Sequence, residues 1–213
     1  MATKVNAFSV VESFHGAGTG RHMKASFQRK HRTGRTGRDF NGECPEDIVG
    51  LVSIVAPTTI NVLVHGGIES QHQWIARTIH DFSHRSQGAF ICVDCASLSA
   101  DRFESELLGT RGRTDNQSAR SEPNCFELAH RGTLFLNNIE GIPLVVQRKL
   151  LRILQNREVG EGRGRRCHKI DIRLIAASSR NLPIMVRHRL FDEELYYLLK
   201  VFPIDIPSAH LAC

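Results

Sequence analysis

From Pro45 onward the apolar positions fall into two alternating rhythms. In "PEDIVGLVSIVA", Ile48, Leu51, Val52 and Val55 recur at helical spacing and mark one face of a helix. The runs "NVLVH", "AFICVD", "TLFLN", "IDIRLIAA" and "VFPIDI" are short, apolar and rich in β-branched and aromatic residues, and they predict five strands. Two further helical stripes lie between the last three runs. "PLVVQRKLLRILQ" sets Val146, Leu150, Ile153 and Leu154 on one side with Arg148, Lys149 and Arg152 turned to solvent, and "LFDEELYYLLK" repeats Phe191, Leu195 and Leu199 every four residues. Strands that alternate with helices predict an α/β fold in which a mainly parallel sheet is covered on both faces.

Residues 1–41 follow neither rhythm. They are rich in Gly, Ser, Thr and basic residues, with one apolar patch at "AFSVV", and they read as a disordered leader ahead of a core of residues 42–207 and a short tail, 208–213. Between Arg21 and Arg38 the leader holds Arg21, Lys24, Arg29, Lys30, Arg32, Arg35 and Arg38 and no acid, within a chain of formal net charge +6. Such a run is either a solvated arm or a nonspecific contact to nucleic-acid phosphates. The turn "HGAGTGRH" separates Gly16 and Gly20 by four positions rather than five and has Arg21 as its cation, so it fails the phosphate-loop frame.

With 213 residues, 41% of them hydrophobic, the chain can bury a core of its own. No run approaches the roughly 18 apolar residues of a membrane span, and the first residues lack a signal-peptide core, so a cytoplasmic protein is expected. The six cysteines have no regular spacing and predict free thiols. "CVDC" has C-x-x-C form but lies in a strand-like run, where residues three apart face opposite sides, and the eleven histidines show no metal-ligand spacing. Neither a metal nor a redox site is expected.

The stretch "NVLVHGGIESQHQWIARTIHDFS" has the outline of strand, glycine turn and helix in which many proteins hold a phosphate. A phosphate-binding loop needs a second glycine five residues after the first, then lysine and a hydroxyl residue at the helix start. Here Gly66 and Gly67 open the turn, but Gln71, His72 and Gln73 stand where those residues are needed.

The order of blocks over residues 42–207 resembles the central AAA+ ATPase domain of bacterial enhancer-binding proteins, which remodel RNA polymerase carrying sigma-54. The resemblance rests on "GECP", "VAPT", "IARTIHDFS", "ESELLG", "FELAHRGTLFL", "QRKLLRILQNRE", "DIRLIAASSRNL" and "FDEELYYLLKVFPI", which follow the family pattern without gaps. It implies a P-loop-type three-layer sandwich on a mainly parallel five-stranded sheet. It also implies ATP and Mg²⁺ as family ligands, and sigma-54 RNA polymerase or AAA+ relatives as partners. After "VFPIDIP" the family continues into a helical lid and, in most members, a DNA-binding domain, and both are expected to be absent here.

Carried over position by position, the resemblance places substitutions at each working part. The family's lysine gives a permanent charge to the phosphates, whereas His72 has an ordinary pKa of about 6.5 and lies at the positive end of a helix, so it is a poor substitute. Gln71 adds a side chain where the backbone should approach the phosphates. The Asp-Glu pair that holds Mg²⁺ and polarises water is Asn137 and Asn138. An Asn that reports on the catalytic Glu is Asp94, the sensor Thr and Asn are Ser178 and Ser179, and the two arginines that reach a neighbouring subunit align with Asp192 and Leu198. The sigma-54 contact loop becomes Arg113, Thr114, Asp115, Asn116, Gln117 and Ser118, and a second loop, Gly160 to Arg166, stays basic as a pore lining or a solvated hairpin tip. The resulting expectation is a degenerate domain that binds neither ATP nor Mg²⁺ and serves as a non-catalytic regulatory or interaction module. A truncated relic and a weak ATP-binding regulator are the alternatives.

Overall fold

The structure is a computed structural model and describes residues 8–10, 46–98, 102–103, 123–159 and 168–207. Its main sheet contains β1 (Phe8–Val10), β2 (Val62–His65), β3 (Phe90–Asp94), β4 (Thr133–Asn137), β7 (Arg173–Ser178) and β8 (Phe202–Asp205). A separate hairpin pairs β5 (Glu158–Val159) with β6 (His168–Lys169). The strand order is β1-β3-β4-β7-β2-β8. All five expected strands are parallel neighbours, whereas β1 joins β3 antiparallel at the edge. Phe8–Val10 is thus a short edge strand within the stretch read as a leader, and the rest of residues 1–41 lies outside the described residues.

Both faces of the sheet are apolar because helices cover both. Val62, Val64, Phe90, Phe135, Ile175, Ala177 and Ile204 point to one side and meet Ile48, Val52, Trp74, Ile75 and Ile79. Those last five come from α1 (Glu46–Val55) and α2 (Glu69–Asp81). Leu63, Ile91, Val93, Leu134, Leu136, Leu174 and Ala176 point the other way, against side chains of α3 (Cys125–Leu128), α4 (Leu144–Asn156), α5 (Leu182–Arg187) and α6 (Glu193–Leu199). Alternation within each strand thus sorts residues between two cores, and burying each of the large ones contributes about 1.5 to 3 kcal/mol. The stripe on α4 is as expected, with Val146, Leu150 and Leu154 buried, and Leu195 and Leu199 of α6 are buried with Phe191, which precedes its cap. Asn124, Asn181 and Asp192 cap α3, α5 and α6 by accepting a backbone N–H in the first turn of each.

One polar contact ties the α1 side to the central strands. Arg173 is fully buried at the start of β7, and its guanidinium donates to the carbonyls of Ala56 and Val55 at 2.6 and 2.7 Å. A cation there meets the negative end of the α1 dipole and satisfies carbonyls the helix leaves free. Burial, with Arg85 nearby, lowers its pKa to about 10, so it remains charged at neutral pH. Beside it His80, also fully buried, bonds Thr133 through Nδ1 at 2.9 Å. Burial first, then Arg77 and Arg173, brings the His80 pKa down to about 4.

Two outcomes are expected. Arg173→Met removes the buried cation and its bond to the Ala56 carbonyl, while Val55 keeps Thr58 as a donor, so urea denaturation should show a loss of about 2 to 4 kcal/mol; a loss below about 1 kcal/mol would assign that contact little weight. His80 is neutral in the fold and protonates more readily unfolded, so its contribution is complete above pH 6.5 and is lost as pH falls toward 4. Between pH 7 and 5 the chain should lose about 2 kcal/mol more than His80→Gln does, and equal losses in the two proteins would contradict this assignment.

Candidate functional site

The turn between β2 and α2 lies at the carboxyl-terminal ends of the parallel strands, where α/β sheets bind ligands. It is carried by Gly66 and Gly67, with φ of +78° and +69°. A Cβ on Gly66 would stand 2.6 Å from the Ile206 carbonyl oxygen, so that position admits only glycine. The Gly66 N–H donates to the Ser178 carbonyl at 3.1 Å, which fastens the turn to β7.

His72, three residues into α2, is fully buried and folds back into this turn. Its Nε2 is 2.5 Å from the Gly66 carbonyl oxygen, and its Nδ1 is 3.3 Å from Oδ1 of Asn137 at the end of β4. Asn137 in turn donates from Nδ2 to Oε1 of Glu69 at 3.0 Å. A carbonyl can only accept, so Nε2 carries a proton. Nδ1 lies against Oδ1 of Asn137, whose NH₂ group stays on Glu69, and the role of Nδ1 follows the ring tautomer. The imidazole thus bridges the glycine turn and β4, with each of its nitrogens against a group of the protein.

Gln71 occupies the helix start in a similar way. Its Oε1 accepts the Ile68 N–H at 2.9 Å, one of the donors that an anion at a helix N-terminus would use. A Cβ built on Gly67 would meet that same Oε1 at 2.4 Å, so the glutamine side chain lies against the turn. Gln73 is exposed.

The neighbouring strand ends are also internally bonded. Asn138, in the left-handed region at φ +52°, donates from Nδ2 to Oδ1 of Asp94 at 3.0 Å, and the same oxygen accepts the Ala96 N–H at 3.1 Å. Ser178 Oγ donates to the Arg180 carbonyl at 3.0 Å, and Ser179 Oγ donates to Oε1 of Glu140 at 3.2 Å. Burial first, then Asp94 and Glu69, pushes the Cys92 thiol up to about 11, and burial raises Cys95 as well, so both thiols stay protonated. Glu69, Asp94 and Glu140 place carboxylates at this edge, and Arg180 follows Ser179 at the end of β7.

The structure brings Gly66, Gly67, Gln71, His72 and Asn137 together, with Asp94 bonded to Asn138 on the adjacent strand end. Asp192 and Leu198 serve their own helix instead. Asp192 Oδ1 accepts the Leu195 N–H at 3.0 Å, while its backbone N–H donates to Gln147 Oε1 at 2.7 Å. Leu198 packs half-buried against the core. Two participants were missed in the sequence, Glu69 and Glu140. Glu69 had a visible signal, an acid in the first turn of a helix whose start should receive an anion. Residues 113–118, 160–166 and the leader cations lie outside the described residues.

Comparison with known proteins agrees with this fold. The family described as Sigma-54 interaction domain matches residues 41–205. The chain is 38% identical over 168 residues to the DNA-binding transcriptional activator HyfR of Escherichia coli K12, covering 79% of this chain and 25% of HyfR. It is 40% identical over 167 residues to the regulatory protein AtoC of the same organism, covering 78% of this chain and 36% of AtoC. It thus spans only about a quarter to a third of those relatives. Among solved structures, NtrX from Brucella abortus in complex with ADP superposes with a TM-score of 0.71 at 28% identity, over 88% of this chain and 41% of that one. The chain belongs to the sigma-54 interaction domain family, the AAA+ ATPase fold found in sigma-54-dependent transcriptional activators.

Proposed function

We propose that this chain is a non-catalytic member of its family, a transcription-regulatory or interaction module whose partners are sigma-54 RNA polymerase or AAA+ relatives. The observation that carries the reading is the placement of His72. A triphosphate needs a cation aimed into the turn and backbone donors left open around it. Here the side chain at the lysine position is buried with one nitrogen on the Gly66 carbonyl and the other on Asn137, and Gln71 covers a donor at the helix start.

The residues present do not fit Mg²⁺ either. Asn137 and Asn138 are neutral amides, and their NH₂ groups are bonded to Glu69 and Asp94. A hard dication favours carboxylate oxygens, and an amide cannot accept the proton of an attacking water. Glu69, Asp94 and Glu140 would also repel the phosphates. The retained sheet and its two cores do not depend on any of these groups, which is why surfaces for partners can persist without the chemistry.

Trp74, 9% exposed and two residues beyond His72, reports on the loop. Titrating the full chain with MgATP should leave its fluorescence unchanged and give no saturable heat by calorimetry below about 1 mM, the affinity of a contact worth only about 4 kcal/mol. Saturable micromolar binding would overturn this reading.

A further inference from the structure

The most enclosed polar groups of the fold lie together in the core shared by α1 and α2, where β4 and β7 begin. Thr133 and Arg173 are register neighbours on those strands, so their side chains leave the sheet on one face, the face that Phe135 and Ile175 also use. His80 reaches the same place from α2 and meets Thr133 Oγ1 through Nδ1 at 2.9 Å. All three side chains are fully buried. Two of their polar atoms nevertheless have no hydrogen-bond partner among the described residues, Nε of Arg173 and Nε2 of His80. Arg173 gives both Nη groups to the carbonyls of Ala56 and Val55, which leaves its Nε–H over. With the Thr133 hydroxyl donating to Nδ1, the ring proton of His80 stands on Nε2 as a second donor without an acceptor. Buried donors are ordinarily satisfied, and an exception calls for an explanation.

The charges around this layer do not balance either. Arg77 pairs with Asp81 at 3.1 Å and Arg85 with Asp171 at 2.5 Å, so the acids nearest to Arg173 are already matched. Among the described residues no carboxylate pairs with Arg173 itself. The two carbonyls bring partial charge only, whereas a fully buried cation is ordinarily matched by a whole one. One species answers both the charge and the open donors: a small anion that accepts from Nε–H of Arg173 and Nε2–H of His80.

We propose that His80 and Arg173 hold a chloride ion as a buried counter-ion that ties α1 and α2 to the starts of β4 and β7. A monoatomic anion suits the place because only two donors are open. An oxyanion would bring three or four oxygens that each need a donor, and the remaining surroundings are apolar, with the Phe90 ring 5.3 Å from the His80 ring. The site lies at the end of the sheet away from the Gly66 turn, so the proposal stands whether or not the chain binds ATP.

Urea denaturation of the full chain across a chloride series provides the test, with sodium methanesulfonate holding the ionic strength constant so that screening does not change. Raising chloride from about 1 to about 300 mM should increase the folded-to-unfolded ratio about thirtyfold for a dissociation constant of about 10 mM, and the gain should level off. Bromide should replace chloride. His80→Phe keeps an aromatic ring but removes the Nε2 donor, and it should cut the gain to below about threefold whatever its own starting stability. Arg173→Met should cut it as far, and His80→Phe decides the matter if that variant does not fold. A gain that rises without levelling off, or a full gain retained in His80→Phe, would overturn the proposal. No gain at all in the unaltered chain would also overturn it and assign the two donors to a buried water.

Discussion

A glycine turn that leads from a parallel strand into a helix leaves backbone donors and acceptors pointing into one small space, and something must satisfy them. In this chain the imidazole of His72 does so. It is buried at the turn, takes the Gly66 carbonyl with one nitrogen and meets Asn137 with the other, so the turn and β4 are joined by a side chain of the protein itself. Gln71 completes the closure on the helix side. A histidine is short enough to fold into the turn and has a group on each side of its ring, whereas a lysine has donors alone and needs an acceptor or an anion opposite.

What holds the strands together is separate from that closure. The strands are held by alternating burial against two sets of helices, and the largest buried polar group, Arg173, acts on α1, at the end of β7 away from the turn. The carboxyl-terminal strand ends therefore keep their own hydrogen bonds without bearing on the core. Asn138 and Asp94 pair with one another, Ser179 pairs with Glu140, and Asp192 caps α6. Among the described residues, Gln71 and His72 likewise bond within the protein.

Most of the fold was legible because its signals are periodic. Five apolar runs and two helical stripes needed only residue spacing, and the loop was found because glycine at positive φ leaves a sequence trace. The rest depended on contacts distant in sequence. Nothing in "IDIR" shows that Arg173 reaches the end of a helix 117 residues earlier, and a histidine at position 72 could as well have faced solvent. Strand β1 escaped notice because three residues beside β3 gain their order from that partner rather than from their own pattern. Asp192 aligns with an arginine that reaches a neighbouring subunit, yet an aspartate ahead of "EELYYLL" is also a helix cap, and that local use is the one the structure displays.

The claim that the protein's own side chain occupies the turn is tested most directly on the His72 ring. Long-range proton–nitrogen spectra of the chain labelled with nitrogen-15 histidine, assigned with His72→Gln, follow the Nε2–H that donates to Gly66. The account predicts a slowly exchanging signal that does not move when MgATP is added to about 1 mM, well above the affinities at which family-type binding would be seen. A His72 signal that exchanges freely with water, or that shifts in a saturable way as MgATP is added, would contradict it.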